Sequence, residues 1–427
     1  MKILLISPKA KVNEAVKSVT GFRIAQMSLA QVAACLPPDV EIELVDELIR
    51  PAPLDTDADL IGISVMTEVV ERAYEIADEY RRRGKSVIMG GIHPTLLPQE
   101  ALQHCDAVVV GEAEGQMEKL VEDFRAHRMR GIYARESLAD LKGLPWPRRD
   151  LLDRSNYRTI NCVQVSRGCP NQCDFCIVPV VHGRKYRSRP VDDVLAEIDS
   201  LDGRELFFVD DNLAGNRKHA LEFFKALASR NRLFVGQLSA TALKDEEMLR
   251  TLRRAGGVGF FIGLESISQN TLDSVGKRQK AAEYIDSIKR LHDHGMTMAG
   301  AFVFGLDSDD LDVFERTIEF VDKSEIDIVQ FTLLTPFPST PIYDRFSQDG
   351  RLVDPQWWLT SAWNHVPFQP LRFSREELRE KWIWALKETY RLPRVFKRTT
   401  RLLHRRSFPA NLITYRANLA YREGLAF

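Results

Sequence analysis

No uncharged apolar run in this 427-residue chain approaches the ~20 residues needed to cross a bilayer. The opening stretch, Met1-Lys2-Ile3-Leu4-Leu5-Ile6-Ser7, is also too short for a signal peptide and reads as a first strand. Neither sign of charge is in excess. Lys and Arg number 59 against 60 Asp and Glu, a net charge of −1, which argues against a general nucleic-acid binder. Cysteine is scarce. There are six, and three fall close together, a poor layout for disulfides in so large a chain. The expectation is a protein of a reducing, cytoplasmic compartment whose clustered cysteines bind metal or do redox work. A hydrophobic share of 44% can fill full cores. The length fits roughly two to four domains of about 150 residues each.

Residues 1–130 alternate strand and helix signals. Strands are expected at Ile3–Ser7, Glu41–Val45, Leu60–Val65, Ser86–Gly91 and Ala107–Gly111, with helices at Ile24–Leu36 and Glu68–Arg83. That alternation implies an α/β, doubly wound parallel sheet of Rossmann-like type, which binds ligands beyond the carboxyl ends of its strands. Residues 131–160 read as a linker, with Gly143, Pro145 and Pro147. Across 161–340 a second alternation offers six strands: 163–165, 206–209, 233–238, 259–263, 298–304 and 326–333. It points to a partial (β/α)6 barrel whose chemistry sits at the strand C-termini. Residues 341–427 turn Trp-rich and then helical, a third, mostly helical module.

Ser166-Arg-Gly-Cys169-Pro-Asn-Gln-Cys173-Asp-Phe-Cys176 spaces its cysteines as Cys-x3-Cys-x2-Cys, directly after a predicted strand. Three thiolates on one short loop can hold three irons of a [4Fe–4S] cubane and leave the fourth open for a substrate or cofactor. The same spacing could serve zinc, with His182 as fourth ligand. Cys35, Cys105 and Cys162 have helix or strand settings and read as buried apolar residues.

The spacing, Phe175 before the third cysteine and the place after the first barrel strand resemble the radical S-adenosylmethionine (SAM) superfamily. The resemblance implies that Cys169, Cys173 and Cys176 hold a [4Fe–4S] cluster whose open iron chelates SAM for reductive cleavage to a 5′-deoxyadenosyl radical. It implies SAM contacts at Phe175, at Asp210 and Asp211 of Phe207-Phe-Val-Asp-Asp-Asn212, and at Glu265 of Gly263-Leu-Glu-Ser266. Further contacts are implied at Gly305, which closes Gly300-Ala-Phe-Val-Phe-Gly305 near Asp307, and at Leu334. The family's usual Gly-Gly-Glu is replaced here by the two aspartates. The bland alternative makes Asp210, Asp211 and Asn212 helix caps. A buried Glu265, costly without donors, favours the ribose role.

Upstream of such a barrel, the first domain resembles the cobalamin-binding domain of class B radical SAM enzymes, in the subgroup of anaerobic magnesium-protoporphyrin ester cyclases and hopanoid-modifying enzymes. Gly90-Gly-Ile-His-Pro-Thr95, Gly111-Glu-Ala-Glu114, the Pro-Trp-Pro linker and Trp363-Asn-His-Val-Pro-Phe368 carry that likeness. It implies cobalamin contacts at Ser64, Met66, Gly90, Gly91 and His93. The Asp-x-His-x-x-Gly element is missing. Pro8-Lys-Ala-Lys-Val-Asn-Glu14 supplies no histidine for the lower face of cobalt, an absence many class B enzymes share. His93 beside Pro94 reads equally as a loop-fixing residue.

The resemblance implies a cobalamin-dependent C-methyltransferase acting on an unactivated carbon, reduced by a partner such as flavodoxin or ferredoxin. The rival within the family is an oxidative, cyclising or carbon–carbon coupling enzyme, with cobalamin as redox partner or absent. A rival of another class is a non-catalytic cobalamin- or zinc-binding regulator, which has no need of the barrel motifs; no DNA-binding motif appears. Seven Arg and Lys between Arg391 and Arg406, interleaved with Val395, Phe396, Leu402 and Leu403 and with no acid, suit peripheral contact with an anionic membrane face. A solvated helix face packed on the barrel is the plain alternative. Trp357, Trp358, Trp363, Trp382 and Trp384 could line an apolar substrate pocket or fill core. Together these features point to a large, apolar lipid or tetrapyrrole-like substrate. Tyr186 and Tyr343 are candidate proton donors.

Overall fold

The computed structural model describes residues 1–11, 23–360, 366–400, 403 and 407–424. The first domain is built on β1 (Lys2–Ser7), β2 (Glu41–Asp46), β3 (Leu60–Ser64), β4 (Ser86–Gly90), β5 (Ala107–Val110) and β6 (Gly131–Ala134). All pair in parallel in the order β2-β1-β3-β4-β5-β6. The central strands are near-continuous apolar runs because both sheet faces are covered. Ile3 and Leu5 pack under the helices Met27–Ala34 and Met117–Arg125, while Leu4 and Ile6 pack under Val70–Arg82. β6 falls in the stretch read as linker. Of its four residues only Tyr133 is buried, so this edge strand carries almost no apolar signal.

The second sheet uses β7 (Cys162–Val163), then, after the antiparallel hairpin β8 (Ser166–Arg167) and β9 (Arg187–Ser188), β10 (Glu205–Phe208), β11 (Leu233–Ser239), β12 (Gly257–Glu265), β13 (Thr297–Phe304) and β14 (Ile328–Leu333). Its six strands run parallel in chain order, β7 to β14, and the two end strands do not pair. This is the partial six-stranded barrel that the alternation predicts. Outer helices are started by side-chain caps, Asn216 accepting from the His219 N–H and Asp245 from the Met248 N–H. Phe208, Phe223, Phe224, Phe234 and Phe260 interlock edge to face between sheet and helices.

Beyond the barrel come the helices Pro341–Gln348, Arg375–Thr389, Leu392–Thr400 and Phe408–Gly424, the second opened by a Ser374/Glu377 capping box. Trp357, Trp358 and Trp382 are core and not pocket lining, whereas Trp384 is exposed. Trp357 and Trp358 bury themselves in the first domain's core, where Trp358 Nε1 donates to Glu100 at 3.1 Å, so this segment straps the domains together. Trp382 is buried and donates to the Phe331 carbonyl at 3.0 Å, and Trp384 lies under the Lys381 ammonium. Trp363, Asn364 and His365 lie outside the described residues.

The basic stretch is less one-sided than its sequence. Arg398 is buried, donating to the Thr389 carbonyl and to Asn418, and Arg394 pairs with Asp322 and Glu388. Arg391 and Lys397 are exposed; Arg401, Leu402, Arg405 and Arg406 lie outside the described residues. Among the described residues no helix is long and apolar enough to cross a membrane. Cys35, Cys105 and Cys162 are buried, and burial pushes each thiol up to about 12.

Candidate functional site

The β8–β9 hairpin is the clasp of the cysteine loop. Gly168, at φ +86°, lets the arms close: a Cβ there would stand 2.8 Å from the Lys185 carbonyl oxygen. The loop then packs on the turn after β12, where the Asp174 N–H donates to the Val275 carbonyl at 3.1 Å. Cys173 is buried, and Cys169 and Cys176 are partly so. Burial pushes the Cys173 thiol up to about 11 and the Cys176 thiol to about 12, and the charges of neighbouring cysteines add to both. Lys277 counters this at Cys173, and Asn212 Nδ2 stands 3.9 Å from Cys169 Sγ. Among the described residues no three His, Cys, Asp or Glu side chains are grouped to hold a single ion. The donor set, three soft thiolates kept from water and offset by one ammonium, fits an iron–sulfur cubane, which takes one thiolate per iron.

The barrel's other expected contacts divide. Glu265 ends β12 at φ +64°, in the left-handed region, where the β12–β13 register slips between Gly263 and Glu265. A non-glycine residue held there signals a constraint beyond packing. Its Oε1 accepts from Lys277 Nζ at 2.6 Å, which ties the strand end to the turn at Val275 on which the cysteine loop packs. Lys277 itself carried no motif, and its role shows only in three dimensions. Asp211 faces His182 and accepts the Gly168 N–H; burial raises the carboxyl and lowers the imidazole, each opposed by the other's charge. Phe175 packs half-buried on the barrel core.

Three expected SAM contacts carry structural roles of their own. Asp210 is wholly buried and its carboxylate accepts the Val165 N–H at 3.0 Å, the Ser166 N–H at 2.5 Å and the Ser166 hydroxyl at 2.6 Å. It fixes the turn into the cysteine loop, even though burial lifts the carboxyl to about 7. Leu334 is core, its N–H donating to the Phe304 carbonyl at 2.8 Å. Gly305 bends at φ +99°, with its N–H on Asp309, because a Cβ would stand 2.9 Å from Leu378. Asp307 pairs with Arg351 at 2.7 Å. Tyr186 and Tyr343 both donate to backbone carbonyls, of Asn212 and Pro355.

The strand ends of the first domain border a cleft of about 540 Å³, lined on one side by Ser64, Met66, Gly90 and Gly91 and on the other by Gln164, Arg167 and His182, which flank the cysteine loop. Small residues at β3 and β4 leave the backbone bare, as a broad flat ligand requires. Gly91 is obligatory: at φ +102° a Cβ would stand 2.9 Å from Val65 N and O. Gly91→Ala is therefore expected to shift β4's end, cost more than about 1 kcal/mol, and lower bound cobalt while leaving bound iron unchanged, as metal analysis of the purified variant would show. His93 does not line the cleft. It is fully buried, with Nε2 on Glu100 at 3.0 Å and its ring between Tyr74 and Trp358. Its place is that of the loop-fixing alternative.

Buried ion pairs lock the two sides in register. Arg167 of β8 donates to Glu112 at 2.9 Å and to Glu114 at 2.6 Å, and Arg187 of β9 reaches Glu112 at 2.7 Å. Glu112 also accepts the Ala139 N–H at 2.7 Å. The Gly111-Glu-Ala-Glu114 motif was visible in the sequence; its arginine partners, more than fifty positions away, were not.

The radical SAM superfamily model matches residues 163–321 and the B12 binding domain model residues 17–121. The bacteriochlorophyllide d C-8(2)-methyltransferase of Chlorobaculum tepidum is 30% identical over 94% of this chain and 92% of its own length. The bacteriochlorophyllide d C-12(1)-methyltransferase of the same organism is 29% identical over 93% and 89%. Among solved structures, the radical SAM methyltransferase TsrM from Kitasatospora setae superimposes with a TM-score of 0.67 at 18% identity, covering 81% of this chain and 76% of that one.

Proposed function

The chain belongs to the B12-binding radical SAM family, and from that premise we infer that it is a C-methyltransferase acting on an unactivated carbon of a large, apolar tetrapyrrole or lipid. Its cofactors are a [4Fe–4S] cluster, SAM and cobalamin. One observation carries the reading: bare strand-end glycines of the first domain share one cleft with Gln164, Arg167 and His182, which flank the cysteine loop, in a register held by buried ion pairs. The tetrapyrrole class is supported by the bacteriochlorophyllides that the two relatives methylate.

When bound, the cluster with SAM supplies a 5′-deoxyadenosyl radical and methylated cobalamin supplies the methyl group. The chain's own residues hold and shield. Cys169, Cys173 and Cys176 ligate; Lys277 offsets thiolate charge; Glu265 and Asp211 offer carboxylates toward SAM. Ser64, Met66, Gly90 and Gly91 form the corrin wall, and Arg167 fixes the distance between the halves. In net terms one substrate C–H, two SAM and two electrons give the methylated product, 5′-deoxyadenosine, methionine and S-adenosylhomocysteine. The electrons come from a flavodoxin- or ferredoxin-like donor. Anaerobic turnover with tetrapyrrole and lipid extracts tests this. Deoxyadenosine and S-adenosylhomocysteine in equal amounts, with a product heavier by one CH2, is expected. Deoxyadenosine without the second product contradicts methylation and points to oxidation or coupling.

The carboxy-terminal hairpin suits contact with an anionic bilayer. Phe396 is 69% and Phe408 79% exposed, with Leu392, Leu403 and Tyr415 exposed beside them. Arg391, Lys397 and Arg416 are exposed in this segment, and across 391–424 the sequence has one acid, Glu423. Apolar side chains and cations on one surface are what such binding needs. Phosphatidylglycerol vesicles should pull the protein down at low salt and release it at high salt, and Phe396→Asp with Phe408→Asp should abolish the effect. No sedimentation with the vesicles would contradict it.

A further inference from the structure

The half-barrel is hollow below its chemistry end. Gln237 is exposed although β11 is a central strand, and Phe207, Val235, Phe261, Ala299 and Gln330 are only half-buried on the same inner face. Closed (β/α) barrels fill this space with layers of bulky side chains. Here a cavity of about 570 Å³ remains, within the usual ligand-site range of about 300–1,000 Å³. It belongs to the first halves of β10–β14. The cysteine loop, Glu265 and Gly305 stand at the opposite ends of these strands.

The floor is the helix Phe408–Gly424, which turns Leu412, Ile413 and Tyr421 toward the cavity. It is pinned by polar contacts at the strand starts: Thr414 Oγ1 with Thr297 Oγ1 at 2.7 Å, and Asn418 Nδ2 donating to the Asp327 carbonyl at 2.8 Å. The same helix begins at the exposed Phe408 and keeps Tyr415 exposed, so the chamber's floor and the hairpin's apolar outer surface are one element.

We propose that this chamber holds the hydrocarbon portion of the substrate, an extended apolar chain or ring system, while the reacting carbon stays at the cluster end. The assignment rests on the methyltransferase reading and names where the substrate's remote part is bound. Burying that part away from the radical gives binding energy that orients the reacting carbon. Most of the lining is apolar, from Phe207 and Val235 to Leu412 and Ile413, which fits a hydrocarbon chain, while Gln237, Gln330 and Arg416 leave room for a few polar groups on it.

The test uses the cluster- and cobalamin-loaded full chain and the fluorescent polyene fatty acid cis-parinaric acid. One saturable site per chain is expected. Ala299→Phe, which fills the chamber, should weaken binding by about tenfold or more while its iron content and melting temperature show a folded, loaded protein. If Ala299→Phe does not load, Ile413→Phe on the floor helix takes its place. No saturable binding, or undiminished binding to a folded variant, as the outer face alone would give, overturns the proposal. Reductive SAM cleavage by the wild-type chain, measured separately, keeps the two readings apart. Deoxyadenosine without probe binding removes the chamber alone; probe binding without deoxyadenosine removes the radical chemistry and leaves the chamber.

Discussion

Serine in place of Cys173 should leave a folded chain that has lost its iron. Cys173 is buried in the loop gripped between the β8–β9 hairpin and the turn at Val275, with Lys277 as its counter-charge. A hydroxyl is nearly isosteric but does not ionise there and is a poor ligand for iron. Losing an outer partner of a metal ligand typically costs about 10–100-fold; losing the ligand itself should exceed that and drive deoxyadenosine formation to background. Cys35→Ser is the matched control. It also buries a hydroxyl in place of a thiol, costing about 1–3 kcal/mol, but should keep its full iron content, because Cys35 belongs to the first domain's core and not to the cysteine loop. Iron analysis and the visible absorbance of the two variants separate a ligand from a core residue.

Arg167→Leu should destabilise the protein by about 3–5 kcal/mol, the usual result of breaking a buried pair from one side. It strands Glu114, which loses its guanidinium partner, while Glu112 keeps Arg187 and the Ala139 N–H. The same network sets a pH dependence. Burial would raise Glu112, but hydrogen bonds from Arg187 and Arg167 overcome it and depress the carboxyl from 4.5 to about 2. A depressed carboxyl stabilises the fold above its unfolded value and loses that contribution as pH falls through the folded one. Roughly 3 kcal/mol should therefore be present at neutral pH and disappear between about pH 4.5 and 2. Glu112→Gln should flatten that part of the stability profile. Urea unfolding between pH 2 and 7 reads both, and an acid limb unchanged in Glu112→Gln would contradict the assignment.

The two sheets were legible because parallel strands covered on both faces must be apolar throughout, as Ile3–Ser7 and Gly257–Glu265 are. β6 was not, since an edge strand with one inward side chain needs little hydrophobicity. The cysteine loop was legible because its ligands are local in sequence. Asp210 stayed ambiguous for the opposite reason: a carboxylate after a strand has the same sequence signature whether it meets a ligand or, as here, three donors from Val165 and Ser166. His93 followed the same rule, its partner Glu100 showing only when the helix Ile92–Leu96 folds inward. Lys277, and the arginines that hold Glu112, had no motif at all. Charge partners that meet across a domain boundary leave no periodic trace.

On this reading one chain holds both an iron–sulfur cluster and cobalamin. Iron, cobalt and zinc measured in protein purified without oxygen from cobalamin-supplied cells test it most directly. About four irons and one cobalt per chain is the predicted result. Iron without cobalt would contradict methyl transfer through cobalamin, and zinc in place of both would contradict the whole assignment.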